Sequence, residues 1–334
     1  MKTLPLVSII MPLYNRADLV GETIDSVARQ EYEHWELLIV DDGSTDGSYE
    51  YVAERSSQTD RMSVFKRHRE PKGAPTCRNI GLEKAAGEYV IFLDSDDLLA
   101  PHCLTQRVAA FQQHPDHDFL VFPVQTFEKR AGDRDFIYFR YFYQDYLTSF
   151  LLQSHWITMS PIWKKEALLR LGGFDETLAC MQDGDLHTRA LIAKMKFKVW
   201  HDKAMIDSYL RVSTSYARIS NSISKRKLDS KLNAKQKALH LLEKNGMLSA
   251  LRERMLAAHY LNISWNFGLL DDYEQASLIW KGAYDRRLCS KRVHIMGQSF
   301  IYLVSMTPLK RSATAVAVLK RVYQLFLPKF LLWL

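Results

Sequence analysis

The 334-residue sequence has few cysteines and no long apolar run. Its four cysteines are far apart and form no CxxC pair, which argues against a disulfide framework and against a zinc site. No stretch approaches the roughly 18 apolar residues that span a bilayer as a helix. The GxGxxG fingerprint of dinucleotide-binding enzymes and the GxxxxGK[ST] loop of P-loop enzymes are also missing. We therefore expect a cytoplasmic globular protein, with 47% hydrophobic and 25% charged residues.

Short apolar runs alternate with helical patterns over roughly the first 110 residues. The runs predict strands at 6–11, 36–40, 62–67 and 88–93, and the patterns predict helices at 18–29, 47–55 and 74–86. Strands that alternate with helices form a parallel sheet through right-handed crossovers. The polar residues after the first, second and fourth strands therefore meet at one edge of the sheet, where such sheets bind ligands.

Three aspartates, Asp94, Asp96 and Asp97, follow the apolar run 89–93. Carboxylates that are crowded at a strand end repel one another, so we expect a cation nearby. Mg²⁺ or Mn²⁺ shared with a phosphate is the simplest candidate. The alternative is a solvated turn that caps the helix beginning near Pro101. The aspartates alone leave both interpretations open.

A second polar cluster, residues 41–47, follows the second predicted strand. Its turn and helix start account for Gly43, Ser44 and Asp46 without a ligand. We assign a function to Asp42, whose carboxylate can accept the N3 proton of a uracil ring.

Five ordered blocks connect these clusters with the rest of the chain. The blocks are VSIIMPLYN at 7–15, ELLIVDDGSTD at 36–46, GAPTCRNIG at 73–81, GEYVIFLDSDD at 87–97, and GGFDE at 172–176 with QDGDL at 182–186. Together they resemble the catalytic domain of glycosyltransferase family 2, and the resemblance covers about residues 5–215. It implies an α/β protein of the GT-A type, with a Rossmann-like, mostly parallel sheet flanked by helices.

The resemblance implies a role for each matching residue. The residues assigned to a nucleotide sugar, most simply a UDP-sugar, are Pro12, Tyr14, Asn15, Asp42, Arg78, Asp94, Ser95 and Arg211. Among them Tyr14 would stack on the uracil, and Asp42 would accept a hydrogen bond from it. Arg211 is assigned to the pyrophosphate because the histidine that relatives carry near this position is absent.

Asp94 and Asp96 match the family's DxD element, in which Asp96 would bind Mn²⁺ or Mg²⁺ directly. A divalent cation neutralises the charge that develops on a departing nucleoside diphosphate. Asp183 aligns with the family's catalytic base, which takes the proton of an acceptor hydroxyl. Attack on the face opposite the leaving group would invert the anomeric configuration.

The base motif departs from the family's pattern. Gln182 and Gly184 flank Asp183, where relatives have a Glu before the Asp and an aromatic after it, so Asp185 is an alternative base. On a helix the two carboxylates point to different faces, and Asp185 lies four residues before Arg189, a spacing that favours an ion pair. The processive QxxRW element is absent from the expected region, which favours transfer of one sugar per encounter.

We predict a catalytic domain at 1–220, with a nucleotide half at about 1–115 and an acceptor half at about 116–220. Two features of the acceptor half stand out. Residues 133–146 hold seven aromatics, which either stack on a sugar or form a packed linker between the halves. The resemblance suggests that the stretch with Trp156 and Trp163 borders the acceptor.

Residues 221–334 are predicted to form an all-helical region. Helical patterns fall near 225–245, 248–266, 271–284 and 290–305, and a basic amphipathic helix follows Pro308 and leads into the apolar end 328–334. Such an end docks on an anionic membrane surface, at the inner face of the cell membrane, or it folds back on the domain or pairs two subunits in a homodimer.

The resemblance thus implies a metal-dependent, inverting glycosyltransferase that acts on a glycan or lipid-linked acceptor in surface polysaccharide biosynthesis. A nucleotidyltransferase would need a basic, glycine-rich loop where this chain has residues 12–15. An inactive nucleotide-sugar-binding or scaffold protein is disfavoured because the site residues are all retained, namely Asp42, Arg78, Asp94, Asp96 and Asp183. No nucleic acid partner is expected, since the net charge of +7 comes without a nucleic-acid-binding motif.

Overall fold

The computed structural model describes residues 4–138, 145–212, 223–306 and 313–323. The strands are β1 Val7–Leu13, β2 Trp35–Asp41, β3 Met62–Lys66, β4 Tyr89–Phe92, β5 Leu98–Leu99, β6 Phe119–Val121, β7 Val124–Phe127, β8 Pro161–Lys164, β9 Phe197–Val199 and β10 Ser208–Arg211. The α-helices are α1 Val20–Ala28, α2 Ser48–Ser56, α3 Ala74–Lys84, α4 Cys103–Gln113, α5 Tyr146–Leu152, α6 Lys165–Leu171, α7 Gln182–Ile192, α8 Lys225–Lys244, α9 Ala250–Leu269, α10 Tyr273–Asp285, α11 Lys291–Ser305 and α12 Ala313–Tyr323.

A seven-stranded sheet has the order β3-β2-β1-β4-β8-β6-β9. Strands β3, β2, β1 and β4 are parallel, and β8 runs antiparallel to both of its neighbours. All seven residues of β1 are buried, as expected of a parallel strand that helices cover on both faces. The predicted Rossmann-like, mostly parallel sheet flanked by helices is therefore confirmed. Its predicted elements end within two residues of the observed ones.

A second sheet, with three strands in the order β5-β10-β7, carries Arg211. A fully buried ion pair joins it to α4, with Arg107 Nη2 2.7 Å from Asp207 Oδ1. Arg107 Nη1 also donates to Met159 O at 2.9 Å. Removing one partner of such a pair costs about 3–5 kcal/mol because the other charge stays buried. The start of β10 is therefore firmly placed.

The described residues divide into two compact units. The first comprises 4–138, 155–177 and 182–212, and the second comprises 145–154, 178–181, 223–306 and 313–323. The second unit is helical throughout its secondary structure, which confirms the predicted carboxyl-terminal helical extension. In it, the buried Lys235 of α8 donates from Nζ to Leu151 O of α5 at 3.0 Å. The predicted domain division at residue 220 stays a prediction.

Three expectations concern regions beside the sheet. Trp156 and Trp163 are both fully buried, and Trp163 stacks on Phe119 with ring centroids 4.2 Å apart. Neither ring is exposed, and the expectation that this stretch borders the acceptor stays a prediction. The segments 139–144 of the aromatic stretch and 328–334 of the chain end lie outside the described residues. No helix within the described ranges is long and apolar enough to cross a membrane.

Candidate active site

The end of β1 is tied to the turn after β2. Asn15 has a left-handed backbone with φ of 48°, and its Oδ1 accepts a hydrogen bond from Thr45 N at 2.8 Å. Its own N donates to Ser44 Oγ at 3.0 Å. Asp41 supports the same turn by accepting from Gly43 N at 2.9 Å. These contacts give Asn15 a structural role in the turn, and its contact with a nucleotide stays a prediction.

The residues predicted to hold a base lie at the ends of β1 and β2. Pro12 is buried within β1, whereas the Tyr14 side chain is 45% exposed. Lys72 Nζ lies 3.8 Å from the centroid of the Tyr14 ring. Asp42 is buried and accepts from Arg67 Nε at 2.7 Å. A carboxylate has several acceptor sites, so Asp42 can accept a further hydrogen bond from a donor such as a pyrimidine N3–H.

The aspartate loop follows β4. Asp97 N donates to Asp94 O at 3.1 Å and closes a turn. The carboxylates of Asp94 and Asp96 are partly exposed, while Ser95 and Asp97 are buried. Burial and the nearby charge of Asp94 raise the pKa of Asp96. Burial, with the charges of Asp96 and Asp94, also raises the pKa of Asp97 well above its ordinary value. Three carboxylates thus lie close together in this loop, an arrangement that suits a bound cation.

Asp97 does not cap the following helix. Its Oδ1 accepts from Arg211 N of β10 at 2.8 Å, and the N-cap residue of α4, His102, makes no side-chain cap hydrogen bond. The alternative in which the aspartate turn caps this helix is therefore wrong, because the loop leads into β5 and pairs with β10. Arg211 also donates from Nε to Asp96 O at 2.8 Å and pairs with Glu22 of α1. Its predicted phosphate contact stays a prediction.

Arg16 is a cation of the site that the sequence analysis missed. Its Nε lies 3.4 Å from Asp96 Oδ2, and its Nη1 donates to Asn15 O at 3.0 Å. Its backbone N donates to Ser48 Oγ at 2.7 Å, at the start of α2. A basic residue directly after the first block was the available signal, but its carboxylate partner lies 80 positions further along the chain.

Arg78 of α3 joins the aspartate loop to the helix that carries the predicted base. Its Nη2 donates to Asp94 Oδ1 at 2.5 Å, and its Nη1 donates to Gln182 Oε1 at 2.7 Å. The guanidinium carbon lies 5.2 Å from the centroid of the Phe174 ring. Arg78 is buried, so these partners fix its orientation. Gln182, a departure from the family's pattern, therefore has a defined function as a hydrogen-bond acceptor for Arg78.

The block at 172–176 positions Phe174 against Arg78. Asn79 Oδ1 accepts from Phe174 N at 2.8 Å, and Asn79 Nδ2 donates to Phe174 O at 2.9 Å. Gly173 has φ of +64°, and a Cβ there would lie 2.5 Å from Asn79 Oδ1. Only glycine therefore fits this approach of the chain to α3.

Asp183 and Asp185 differ in their surroundings. Asp183, in the first turn of α7, accepts from Gly184 N at 2.8 Å. Burial raises the pKa of Asp183, and the charge of Asp94 acts in the same direction. Asp185 is buried and accepts from Arg189 Nε at 2.7 Å, so the predicted ion pair is present. Asp185 thus serves to anchor α7, and Asp183 is the better candidate for proton transfer.

The site suits a hard divalent cation. Asp94 and Asp96 offer carboxylate oxygens that are partly exposed. Within the described residues, no group of three or more His, Cys, Asp or Glu side chains is arranged to hold a metal by itself. Mg²⁺ sites commonly combine one or two carboxylates with substrate phosphates. The donor set therefore fits a cation that the protein shares with a diphosphate.

Comparisons with known proteins agree with these observations. The family model described as glycosyl transferase family 2 matches residues 8–165. The chain is 46% identical over 93 residues to TuaG of Bacillus subtilis, whose name assigns it to teichuronic acid biosynthesis; the match covers 28% of this chain and 36% of TuaG. It is 31% identical over 129 residues to glycosyltransferase GlyG of Streptococcus pneumoniae, and the match covers 38% of this chain and 42% of GlyG. The chain therefore matches less than half of each relative.

Solved structures share the fold over nearly the whole chain. TarS residues 1–349 of S. aureus in complex with UDP-GlcNAc aligns with a TM-score of 0.67 at 18% identity, covering 96% of this chain and 92% of that chain. Mannosyltransferase PcManGT of Pyrobaculum calidifontis, in complex with GDP-Man and Mn²⁺, aligns with a TM-score of 0.55 at 19% identity. The alignment covers 97% of this chain and 88% of PcManGT. At these identities the likeness shows the fold. The family model over residues 8–165 and the named relatives support glycosyltransferase family 2 as the family that this chain resembles.

Proposed function

We propose that this protein is a metal-dependent, inverting glycosyltransferase that moves one sugar from a UDP-sugar to a hydroxyl of a glycan or lipid-linked acceptor. The contact of Arg78 with both Asp94 and Gln182 carries the proposal. It couples the carboxylate loop suited to a diphosphate with the helix that holds Asp183. A leaving-group site and a base on opposite sides of a reacting carbon are what direct displacement requires.

The donor would occupy the edge formed by β1, β2 and β4. Its uracil would stack on the exposed Tyr14 and donate its N3–H to Asp42. TarS, which shares the fold, has been solved with UDP-GlcNAc, and this supports a uridine nucleotide. A bound Mn²⁺ or Mg²⁺ would lower the charge on the diphosphate as it leaves. Asp94 and Asp96 would hold that cation, and Arg16 would supply further positive charge beside it.

Asp183 would act as the base. The acceptor oxygen forms a bond to the anomeric carbon while the bond from that carbon to the diphosphate breaks, and its electron pair leaves with UDP. The acceptor proton passes to a carboxylate oxygen of Asp183. A raised pKa makes this carboxylate a stronger base than an ordinary aspartate. The names of TuaG and of the colanic acid protein WcaA of Escherichia coli support an acceptor in surface polysaccharide biosynthesis.

A panel of UDP- and GDP-sugars with Mn²⁺, scored by release of nucleoside diphosphate, tests the proposal. We expect release with at least one UDP-sugar, and its loss when EDTA removes the metal. Asp116→Asn, which changes an exposed aspartate away from the loop, should turn over like the unaltered protein. Absence of release with every donor, or release that EDTA does not reduce, would overturn the proposal.

A further inference from the structure

The basic character of this protein lies entirely in its last 49 residues. Residues 286–334 contain nine Lys and Arg and no Asp or Glu, and the last acidic residue of the chain is Asp285. The first 285 residues hold 36 basic and 38 acidic residues, a net charge of −2. The overall charge of +7 therefore does not describe the catalytic region. The excess of positive charge is a property of the sequence after Asp285.

The described part of this end also exposes apolar side chains in a strip along α11. Ile295, Tyr302 and Met306 are 58%, 54% and 43% exposed. With the exposed Lys291 they stand at positions i, i+4, i+11 and i+15, which share one face of a helix. Arg292 flanks the strip at the start of α11 and is also exposed. Residues on the opposite face of α11, such as Phe300, are buried.

Helix α12 extends this surface. It packs on α11 through Tyr323, whose ring centroid lies 5.0 Å from that of Phe300 and whose hydroxyl lies 2.6 Å from Ser299 Oγ. Folding back on the domain, docking on a membrane and pairing of two subunits all stay predictions for this end of the chain. The other face of α12 leaves Val318 and Val322 exposed, with Arg321 between them. Apolar and cationic side chains thus share the outer faces of both helices.

We propose that the outer faces of α11 and α12, defined by Lys291, Ile295, Tyr302, Val318, Arg321 and Val322, dock on the surface of an anionic lipid bilayer. Exposed apolar side chains that enter the headgroup region, ringed by cations that attract anionic lipids, define this mode of binding. A second copy of the chain is a poor occupant, because two surfaces that each carry only positive charge repel one another. A nucleic acid would use the cations but would leave the aliphatic strip exposed to water.

Flotation with phosphatidylcholine vesicles, with and without phosphatidylglycerol, tests this proposal on the full chain. We expect recovery with the anionic vesicles at least about tenfold above that with phosphatidylcholine alone, and a strong decrease in high salt. Lys291→Glu with Arg292→Glu should abolish the difference between the two vesicles. Ile295→Ser with Val318→Ser should lower recovery on anionic vesicles by about tenfold. Both pairs are exposed, so the variants should unfold at the temperature of the unaltered protein.

Matched controls lie in the other unit. Leu169→Ser changes a leucine of α6 that is 54% exposed, and Lys129→Glu with Arg130→Glu reverses two exposed charges; neither change should affect flotation. Equal recovery with both vesicles, or variants that float like the unaltered protein, would overturn the proposal. So would concentration-dependent dimers that the Ile295 and Val318 changes dissociate, or retention by RNA but not by anionic vesicles. The assay measures no turnover, so its result is independent of the proposed transferase activity.

Discussion

Arg78 donates a 2.5 Å hydrogen bond to Asp94 and holds this carboxylate beside the start of α7. The same guanidinium contacts Gln182, which directly precedes Asp183. One buried cation therefore sets the spacing between the aspartate loop and the helix that carries Asp183. This spacing is the geometric core of the proposed reaction.

Arg78→Lys tests that spacing. Lysine keeps the charge but cannot reach two acceptors with a planar fork, so we expect kcat/KM to fall about 10²-fold, which corresponds to ~2.7 kcal/mol. Steady-state kinetics with the donor found active provides the measurement. Arg170→Lys, at an exposed ion pair with Asp118, should leave kcat/KM unchanged. Equal rates for Arg78→Lys and the unaltered protein would contradict the bridging role.

Asp185→Asn should reduce stability rather than chemistry. The change leaves Arg189, which also donates to Leu171 O and Gly173 O, without its buried carboxylate partner. We expect the free energy of unfolding to fall by about 3 kcal/mol, measured by chemical denaturation. Asp60→Asn, at an exposed position, is the matched control. A variant that retains full stability but loses all transfer would instead identify Asp185 as the base.

The raised pKa of Asp183 predicts opposite effects of pH on activity and stability. Transfer needs the ionised carboxylate, so the rate should fall as pH drops through that raised pKa. At a pH between the unfolded pKa of about 3.9 and the raised pKa of the folded state, the folded protein binds more protons than the unfolded chain. The free energy of unfolding therefore falls as the pH rises. Asp183→Asn should therefore melt at a higher temperature than the unaltered protein near neutral pH. The difference in melting temperature between the two proteins should shrink as the pH is lowered toward about 4. A difference that stays constant with pH would contradict the raised pKa of Asp183.

Arg16→Gln should strengthen metal binding in the absence of nucleotide. The guanidinium lies 3.4 Å from Asp96 Oδ2 and competes with a metal for this carboxylate. Because partly exposed ion pairs contribute about 0.2–1 kcal/mol, we expect Mn²⁺ affinity to rise about threefold, measured by the fluorescence or electron paramagnetic resonance of a Mn²⁺ titration. Arg170→Gln should have no effect. Weaker or unchanged Mn²⁺ binding in Arg16→Gln would show that the two cations do not compete.

The sheet could be predicted because it depends on local patterns. The apolar runs of β1, β2 and β4 and the intervening helical patterns were each visible within about ten residues. Strand β8 was not predicted, since Pro161–Lys164 is short and enters the sheet between β4 and β6 from far along the chain. Its position follows from long-range packing, such as the stacking of Trp163 on Phe119, which no local pattern encodes.

The contacts of the candidate site also fall into two kinds, those between residues close in sequence and those between residues far apart. The pair of Asp185 and Arg189 was predictable because four residues separate its members along one helix. Arg211 and Asp97 are 114 positions apart, and Arg16 and Asp96 are 80 apart; neither contact has a local signature. The sequence therefore predicted which carboxylates gather at the sheet edge but not which arginines hold them. The contacts with Arg16 and Arg211 distinguish Asp96, which stays partly exposed, from Asp97, which is buried.

The separate roles proposed for Asp96 and Asp183 are tested most directly by calorimetric titration of UDP in the presence of Mn²⁺. The titration is carried out on Asp96→Asn and on Asp183→Asn, and a transfer assay is run on both variants. We expect Asp96→Asn to lose metal-dependent UDP binding, because it removes a ligand of the cation. Asp183→Asn should bind UDP like the unaltered protein and transfer no sugar, because only the base is lost. Unchanged UDP affinity in Asp96→Asn, or normal transfer by Asp183→Asn, would contradict the account.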